Sequence, residues 1–280
     1  MKSLEDTFEL SNGTGIPCIG FGTWQTPDGT VAVESVRLAI ETGYRHIDTA
    51  AVYGNEKSVG RGIAEAGIAG TELFVTSKLW NTEKGYDRTL RAFDKTMSNL
   101  GLDCLDLYLI HWPAIGHDGP AYNRETWRAF EKLYREKRIR AIGVSNFKPH
   151  HLESLMETAE VVPMVNQIEF HPGQMQQETL IFCNKHRILV EAWSPLGTGR
   201  MLTNPQLIEL AAHYGKSAAQ FCIRWCLQNN ILPLPKSVTP SRIRENAEVF
   251  DFEISREDLD TIRSMPYFGG SGLDPDNRNF

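Results

Sequence analysis

Three ionisable side chains recur at a regular interval in the first half of the chain. Asp48, Lys78 and His111 are 30 and 33 residues apart, each close behind a short apolar run, and Tyr53 follows Asp48 by five residues. A parallel strand with its crossover helix takes about 30 residues, so the spacing predicts that each group stands at the carboxyl end of a successive strand. The four side chains would then meet in one cleft.

These four residue types suit the delivery of a proton to a carbonyl oxygen. A phenol is a weak acid at neutral pH, but a nearby ammonium stabilises the phenolate and lowers the phenol pKa. Lys78 is predicted to act on Tyr53 in this way, while Asp48 holds Lys78 through an ion pair. His111 can donate a hydrogen bond to the substrate oxygen. Carbonyl reduction also needs a hydride, which no side chain supplies. We therefore expect the protein to bind a reduced nicotinamide cofactor and no metal.

The nicotinamide cofactor needs a site of its own. The usual dinucleotide fingerprint is absent, because the segment Gly20-Phe21-Gly22-Thr23 lacks the third glycine. A phosphate site is predicted near the last apolar run, where Thr239 precedes Pro240 at a helix start, between Lys236 and Arg242. This segment alone indicates a phosphorylated ligand, and together with the four groups above it indicates the 2′-phosphate of NADPH.

Strand-length apolar runs alternate with segments of helical period along the chain. The runs are Cys18–Phe21, His46–Asp48, Leu73–Ser77, Leu107–Ile110, Ala141–Val144, Met164–Ile168, Leu189–Ala192 and Ile231–Leu234. Helical segments between them include Val33–Ile40, Leu90–Leu100, Thr126–Arg135, His151–Thr158 and Ala218–Leu227. Such alternation predicts parallel strands with right-handed crossovers, and eight units favour a closed (β/α)8 TIM barrel over an open doubly wound sheet.

Several features add to a minimal barrel. They are an N-terminal hairpin of Phe8–Leu10 and Ile16–Pro17 turning at Asn12-Gly13, two helices at Pro205–His213 and Ser217–Gln228 before the eighth strand, extra helical structure at the C-terminus, and a tail beyond Ser264 that forms a loop near the barrel mouth.

Composition narrows the class of protein. The chain has 280 residues, 41% hydrophobic and 23% charged, which predicts one domain over residues 1–280. The net charge of -6 argues against a nucleic-acid partner. The cysteines are odd in number and lack zinc spacing, which predicts reduced thiols, with Cys222 and Cys226 as buried small side chains. With no long apolar run and no apolar surface stripe, we expect a cytoplasmic monomer that does not enter membranes.

Three tryptophans follow predicted strand ends. Trp24, Trp80 and Trp112 each lie in or after the turn that ends a strand. Solvent access at such positions normally disfavours the large apolar indole ring. Core packing is an equal alternative for any one of them. Their shared position favours an aromatic-walled, hydrophobic substrate pocket that also includes Tyr53 and His111.

Three ordered motifs resemble those of the aldo-keto reductase family. They are Gly43-Tyr44-Arg45-His46-Ile47-Asp48-Thr49-Ala50 continuing to Tyr53, Glu56 and Gly60; the strand segment ending Thr76-Ser77-Lys78; and Pro235-Lys236-Ser237 with Arg242, Glu245 and Asn246. The likeness covers nearly the whole length. It is closest to the bacterial branch that includes glyoxal or methylglyoxal reductases and 2,5-diketo-D-gluconate reductases, since the loop Pro113 to Asn123 and the tail are short.

The resemblance implies Tyr53 as general acid, Lys78 and Asp48 as its tuning pair, and His111 as the residue that orients the carbonyl. It also implies the NADPH contacts. These are Ser145, Asn146 and Gln167 at the carboxamide, Trp193 stacked on the nicotinamide, Ser194, Pro195 and Leu196 over the pyrophosphate, Lys236, Ser237 and Arg242 at the 2′-phosphate, Glu245 and Asn246 at the adenine, with Thr23, Trp24, Asp48, Val238 and Thr239 completing the set.

The expected activity is NADPH-dependent reduction of aldehydes and ketones, by an oxidoreductase of the class acting on CH–OH donors. Alternatives are a keto-sugar reductase of the 2,5-diketo-D-gluconate type, a catalytically silent nucleotide-binding member of the family, and a barrel enzyme that acts on sugar phosphates without nicotinamide. The partner is expected to be a small carbonyl compound, whose identity the residues leave open.

Overall fold

The chain begins with the predicted hairpin. The computed structural model describes residues 1–68 and 72–277, and its first two strands, β1 (Thr7–Glu9) and β2 (Gly15–Pro17), pair antiparallel. Gly13 in the turn has a φ of 82°, a left-handed conformation that glycine adopts without a steric penalty. Leu10 and Ile16 are buried and join the hydrophobic core. The hairpin is therefore packed onto the body of the protein.

Eight parallel strands confirm the predicted barrel. They are β3 (Gly20–Gly22), β4 (His46–Asp48), β5 (Phe74–Leu79), β6 (Leu105–Ile110), β7 (Ile139–Ser145), β8 (Val165–Glu169), β9 (Leu189–Trp193) and β10 (Leu232–Leu234). Each strand pairs in parallel with its neighbour in chain order. The Gly22 N–H donates to the Pro235 carbonyl at 3.0 Å, so the sheet nearly closes between β3 and the end of β10.

Helices surround the barrel. In the described residues the α-helices are α1 (Thr30–Thr42), α2 (Glu56–Glu65), α3 (Tyr86–Leu100), α4 (Gly119–Arg135), α5 (Pro149–Met156), α6 (Gln177–Lys185), α7 (Pro205–His213), α8 (Ala218–Gln228), α9 (Pro240–Glu245) and α10 (Arg256–Ser264). Short 3₁₀ helices occur at Ala51–Tyr53, Asn81–Glu83 and Gly197–Thr203. Of the helices that the structure describes, none has the length and apolar character needed to cross a bilayer.

The predicted additions to the barrel are present. α7 and α8 both precede β10, while α9 and α10 follow it. Ser217 is the N-cap of α8 rather than its first residue, because its hydroxyl accepts a hydrogen bond from the Gln220 N–H at 3.3 Å. Beyond Ser264 the described chain contains no further helix or strand, as expected for a loop.

Several predicted boundaries differ from the structure by a few residues, and two of them differ for identifiable local reasons. The first barrel strand begins at Gly20 rather than Cys18, because the Cys18 N–H donates to the Asp6 carbonyl at 2.9 Å and thus belongs to the connection with the hairpin. The loop Pro113 to Asn123 is shorter than predicted, since α4 already begins at Gly119 with a proline in its first turn. The loop on this side of the barrel mouth is correspondingly small.

Two helices, α2 and α6, have no counterpart among the predicted segments. α2 contains Gly60 and Gly62, and each glycine lowers intrinsic helix stability by about 1 kcal/mol relative to alanine. Packing overrides this preference, because a Cβ at Gly60 would lie 2.2 Å from the Leu100 carbonyl oxygen at the end of α3. At the start of α2, buried Glu56 accepts a hydrogen bond from the Ser77 hydroxyl at 2.7 Å. α2 is therefore tied both to α3 and to β5.

All five cysteines are free thiols. Cys222 and Cys226 on α8 are fully buried. Burial raises the pKa of Cys222 to about 12 and that of Cys226 well above its ordinary value. The prediction that these two residues pack as small apolar side chains is therefore confirmed.

Gly60→Ala is expected to destabilise the protein by about 1–3 kcal/mol although alanine is the better helix former, because the added methyl group overlaps the Leu100 backbone. The free energy of unfolding from urea titrations measures this effect. Lys57→Ala, on the exposed face of the same helix, is the matched control and should change stability by less than about 0.5 kcal/mol. A Gly60→Ala protein as stable as the wild type would show that α2 and α3 do not approach this closely.

Candidate active site

The structure brings the four predicted groups together at the carboxyl ends of the strands. Asp48 is the last residue of β4, Lys78 lies near the end of β5, and His111 directly follows β6. Tyr53 ends the 3₁₀ helix that follows β4. The Lys78 Nζ atom lies 2.6 Å from Asp48 Oδ1 and 3.2 Å from the Tyr53 hydroxyl. The Tyr53 and His111 rings pack edge to face with their centroids 5.7 Å apart.

Lys78 is the centre of this arrangement. It is fully buried, and its ammonium donates to Asp48, to the Tyr53 hydroxyl and, at 2.9 Å, to the Thr49 carbonyl. These three acceptors match the three protons of an ammonium group. Although burial disfavours the charged form, the negative charge of Asp48 raises the pKa of Lys78 above its ordinary value. Lys78 is therefore a fixed positive charge beneath the phenol.

The pKa of Tyr53 is raised, which corrects the predicted lowering. Burial of the phenol is the largest effect and raises the pKa, the Lys78 ammonium lowers it, and the charge of Asp48 raises it further. The expected effect of Lys78 is present, but desolvation exceeds it. Tyr53 is consequently protonated at neutral pH.

Of the three predicted pocket tryptophans, Trp80 contacts the group directly. Its ring packs edge to face on His111 with the centroids 5.3 Å apart. Trp24 follows β3 and is 44% exposed, whereas Trp112 directly follows His111 and is buried. The assignment of all three to a substrate pocket remains a prediction.

A second polar network lies beside the first, at the ends of β7, β8 and β9. Asn146 donates to the Ser145 hydroxyl and to the His111 carbonyl, both at 3.0 Å, and accepts from the Trp193 indole at 2.7 Å. The Ser145 hydroxyl donates to the Gln167 carbonyl at 2.8 Å. Both amide protons of Asn146 are thus engaged within the protein, which leaves only its carbonyl side for a ligand. The indole bond holds the Trp193 ring in one orientation.

Gln167 joins the two networks. Its amide nitrogen donates to Asp48 Oδ2 at 2.9 Å and to Glu191 Oε2 at 2.8 Å. Glu191 was not predicted as a site residue, although a charged residue inside the apolar run Leu189–Ala192 is a signal that could have indicated it. Burial, and then the charge of Asp48, raise the pKa of Glu191 to about 8. Glu191 is therefore protonated at neutral pH.

Thr23, another predicted cofactor residue, supports Asp48 from the backbone side. Its hydroxyl and its N–H both lie 3.0 Å from the Asp48 carbonyl oxygen. Thr23 is fully buried. Thr23 therefore fixes the end of β4 against the end of β3.

The predicted phosphate residues form a separate group after β10. Lys236 is half-buried and Arg242 exposed, and within the described parts of the chain neither forms an ion pair. Burial without an anionic partner lowers the pKa of Lys236. Thr239 is the N-cap of α9 as predicted, but its side chain makes no capping bond; its N–H instead donates to the Ser237 hydroxyl at 3.1 Å. Two cations in one short segment, with no anionic partner among the described residues, suit a phosphate group.

The remaining predicted cofactor residues lie around these two groups. Ser194 has a φ of 49°, which turns the chain sharply after Trp193 into the segment containing Pro195 and Leu196. Val238 is exposed, Glu245 is half-buried and Asn246 is buried. The Tyr44 hydroxyl, from the motif that contains Asp48, donates to the Ile243 carbonyl at 3.2 Å and so ties α9 to the barrel.

The C-terminal tail covers part of the mouth. A cleft of about 270 Å³ lies between Asn146, Trp193 and the tail residues Tyr267 and Leu273. Two attachments hold the tail in place. They are Glu169, which accepts from the Ser271 N–H and hydroxyl, both at 2.7 Å, and Lys148, which pairs with Asp274 at 2.6 Å and Asp276 at 2.7 Å.

Residues 18–266 match the Aldo/keto reductase family. Glyoxal reductase of Bacillus subtilis (strain 168) is 50% identical over 278 residues, which cover 99% of each chain. The crystal structure of MGS-M4, an aldo-keto reductase enzyme from a Medee basin deep-sea metagenome library, superposes with a TM-score of 0.93 at 43% identity, covering 98% of this chain and 100% of that chain. A Gox0644 mutant in complex with NADPH superposes with a TM-score of 0.91 at 41% identity, covering 98% of each.

Asp48→Asn is expected to destabilise the protein by about 3–5 kcal/mol, because it leaves the buried Lys78 ammonium without its counter-charge. The double variant Asp48→Asn with Lys78→Met removes both charges and should recover much of that loss. The free energy of unfolding in guanidinium chloride measures both. A double variant less stable than Asp48→Asn alone would contradict the view that the unpaired charge is the source of the loss.

Proposed function

The chain belongs to the Aldo/keto reductase family, and on this basis we propose that it is an NADPH-dependent reductase of aldehydes and ketones. The observation that carries the proposal is the buried series of contacts from Asp48 through Lys78 to the Tyr53 hydroxyl, with His111 beside the phenol. This series provides a proton donor, a charge to stabilise the conjugate base, and a second donor for the carbonyl oxygen.

The residues present fit a bound nicotinamide dinucleotide. Trp193 is held by its indole bond at the edge of the cleft, where a planar ring can stack on it. Lys236 and Arg242 offer two cations with no protein anion in the described residues, as a phosphate requires. The structural relative in complex with NADPH supports this cofactor. Ser145, Asn146 and Gln167 would face the carboxamide, and Ser194, Pro195 and Leu196 the pyrophosphate.

In the proposed reaction the cofactor supplies a hydride to the carbonyl carbon. His111 orients the carbonyl by donating a hydrogen bond to its oxygen. Tyr53 transfers its phenolic proton to the same oxygen, which becomes the alcohol. The phenolate that remains lies 3.2 Å from the Lys78 ammonium, which stabilises it until a proton returns. Asp48 keeps that ammonium charged and in place.

Trp80, which packs on His111, and the exposed Trp24 after β3 suit small carbonyl compounds with apolar or planar parts. The similarity to glyoxal reductase supports short aldehydes and dicarbonyls as the substrate class. Steady-state rates over a panel of dicarbonyls, simple aldehydes and keto-sugars, followed by the loss of reduced-nicotinamide absorbance, test this choice. Highest kcat/KM on the keto-sugars would favour the alternative of a keto-sugar reductase.

Tyr53→Phe is expected to lower kcat for aldehyde reduction by about 10²–10⁴-fold, because it removes the proton donor and leaves the ring in place. NADPH affinity should stay within roughly twofold, since the phenol is not among the proposed cofactor contacts. Stopped-flow turnover and a fluorescence titration with NADPH measure the two quantities. Turnover close to that of the wild type would exclude Tyr53 as the general acid.

Arg242→Ala is expected to weaken NADPH binding by about 10- to 100-fold, because a charge-assisted contact with the 2′-phosphate is lost. NADH lacks that phosphate, so its affinity should change by less than roughly twofold. Arg244→Ala on the same helix is the matched control, because Arg244 borders a cavity with Leu38 and Glu41 on α1 instead. Equal losses for NADPH and NADH would show that the 2′-phosphate binds elsewhere.

A further inference from the structure

Glu191 is a buried carboxyl group that the proposed mechanism leaves without a role. It lies in the middle of β9, is fully buried, and contacts Gln167. We propose that Glu191 is a positioning residue, which fixes the orientation of the Gln167 amide towards the nicotinamide and leaves the negative charge of the site on Asp48. The inference rests on the proposed function and adds a residue to that site.

The Gln167 amide has one favourable orientation. A primary amide nitrogen carries two protons, and in Gln167 one is donated to Asp48 at 2.9 Å and the other to Glu191 at 2.8 Å. The opposite amide orientation would direct the carbonyl oxygen at the Asp48 carboxylate, which is repulsive. The amide oxygen therefore faces away from both carboxyl groups, where it can accept a hydrogen bond from the carboxamide of the cofactor.

The negative charge of the site lies on Asp48 and not on Glu191. Asp48 and Glu191 bond to the same nitrogen atom, and two carboxyl groups this close cannot both ionise at low cost. Asp48 has the Lys78 ammonium at 2.6 Å and is the better place for the charge. From the other side, Glu191 pairs in register with the apolar Leu232 of β10. Its raised pKa of about 8 agrees with a neutral Glu191 beside an ionised Asp48.

Glu191 brings no evident gain in folding stability. Its Oε1 atom has no hydrogen-bond partner among the described residues, although the side chain is fully buried. A buried polar atom without a partner costs folding free energy, and this cost opposes the gain from the bond between Glu191 and Gln167. The orientation of Gln167 is the effect of Glu191 that remains.

Two variants of Glu191 distinguish its role as a hydrogen-bond acceptor from the effect of its charge. Glu191→Leu leaves the second Gln167 proton without an acceptor, so NADPH affinity should fall about 10-fold. The melting temperature should change little, because one unpaired buried polar atom, Glu191 Oε1, is exchanged for another. Glu191→Gln keeps a neutral acceptor and should restore NADPH affinity to within roughly twofold at pH 7. Calorimetric titration with NADPH measures affinity without turnover. Wild-type affinity in Glu191→Leu would overturn the proposed role, as would an equal loss in both variants.

The pH dependence gives a readout that a purely structural role would not change. As the pH rises through about 8, Glu191 ionises next to the Asp48–Lys78 pair. The added negative charge should raise the Tyr53 pKa further and slow single-turnover reduction by roughly threefold. Glu191→Gln should lack this descending limb, and its persistence there would overturn the proposal.

Glu131→Gln is the matched control, because Glu131 is also a buried glutamate but accepts from the Glu160 and Val161 N–H groups on the outside of the barrel. It should lower the melting temperature and leave the pH profile unchanged. A wild-type protein that neither binds NADPH nor reduces aldehydes would reject the proposed function itself. A wild type that does both, with a Glu191→Leu variant that matches it, would reject only the role of Glu191.

Discussion

The buried ion pair between Lys78 and Asp48 is the interaction on which the rest of the site depends. An ammonium group with no solvent contact is tolerated only if each of its protons has an acceptor and its charge has a partner. Asp48, the Thr49 carbonyl and the Tyr53 hydroxyl meet these requirements. Asp48 is held in turn by Gln167 from the far side of the barrel and by Thr23 through its backbone. The position of the phenol therefore follows from strands that are distant in sequence.

The spacing of chemical groups was predictable because the β/α unit has a nearly constant length. Asp48, Lys78 and His111 each lie where a strand ends, so counting along the chain was sufficient to predict that they share a mouth. Two features of the structure could not be predicted by counting along the chain. The direction of the Tyr53 pKa shift depends on how far the surrounding residues desolvate the phenol, and α2 depends on the close approach of Gly60 to Leu100. Both are set by packing between elements, which local sequence does not encode.

The segments proposed to bind the cofactor were also predictable only in part. Thr239 was correctly predicted as a helix N-cap from its place before Pro240, but the bond it makes is through its backbone N–H to Ser237. Glu191 was overlooked, because a strand buried on both faces shows as an apolar run and a single acid within it is easily assigned to the run. The proposed role of Glu191 depends on its hydrogen bond with Gln167, which is 24 residues away along the chain.

The near-closure of the barrel has a consequence for how the protein responds to its ligand. Among the described residues, β3 and the end of β10 are joined by a single main-chain hydrogen bond, from Gly22 to Pro235. A dinucleotide held by Lys236 on one side of that seam and by the residues around Asp48 on the other would bridge it. Such a ligand would add its own contacts to the single hydrogen bond across the seam, and would stabilise the folded chain by mass action.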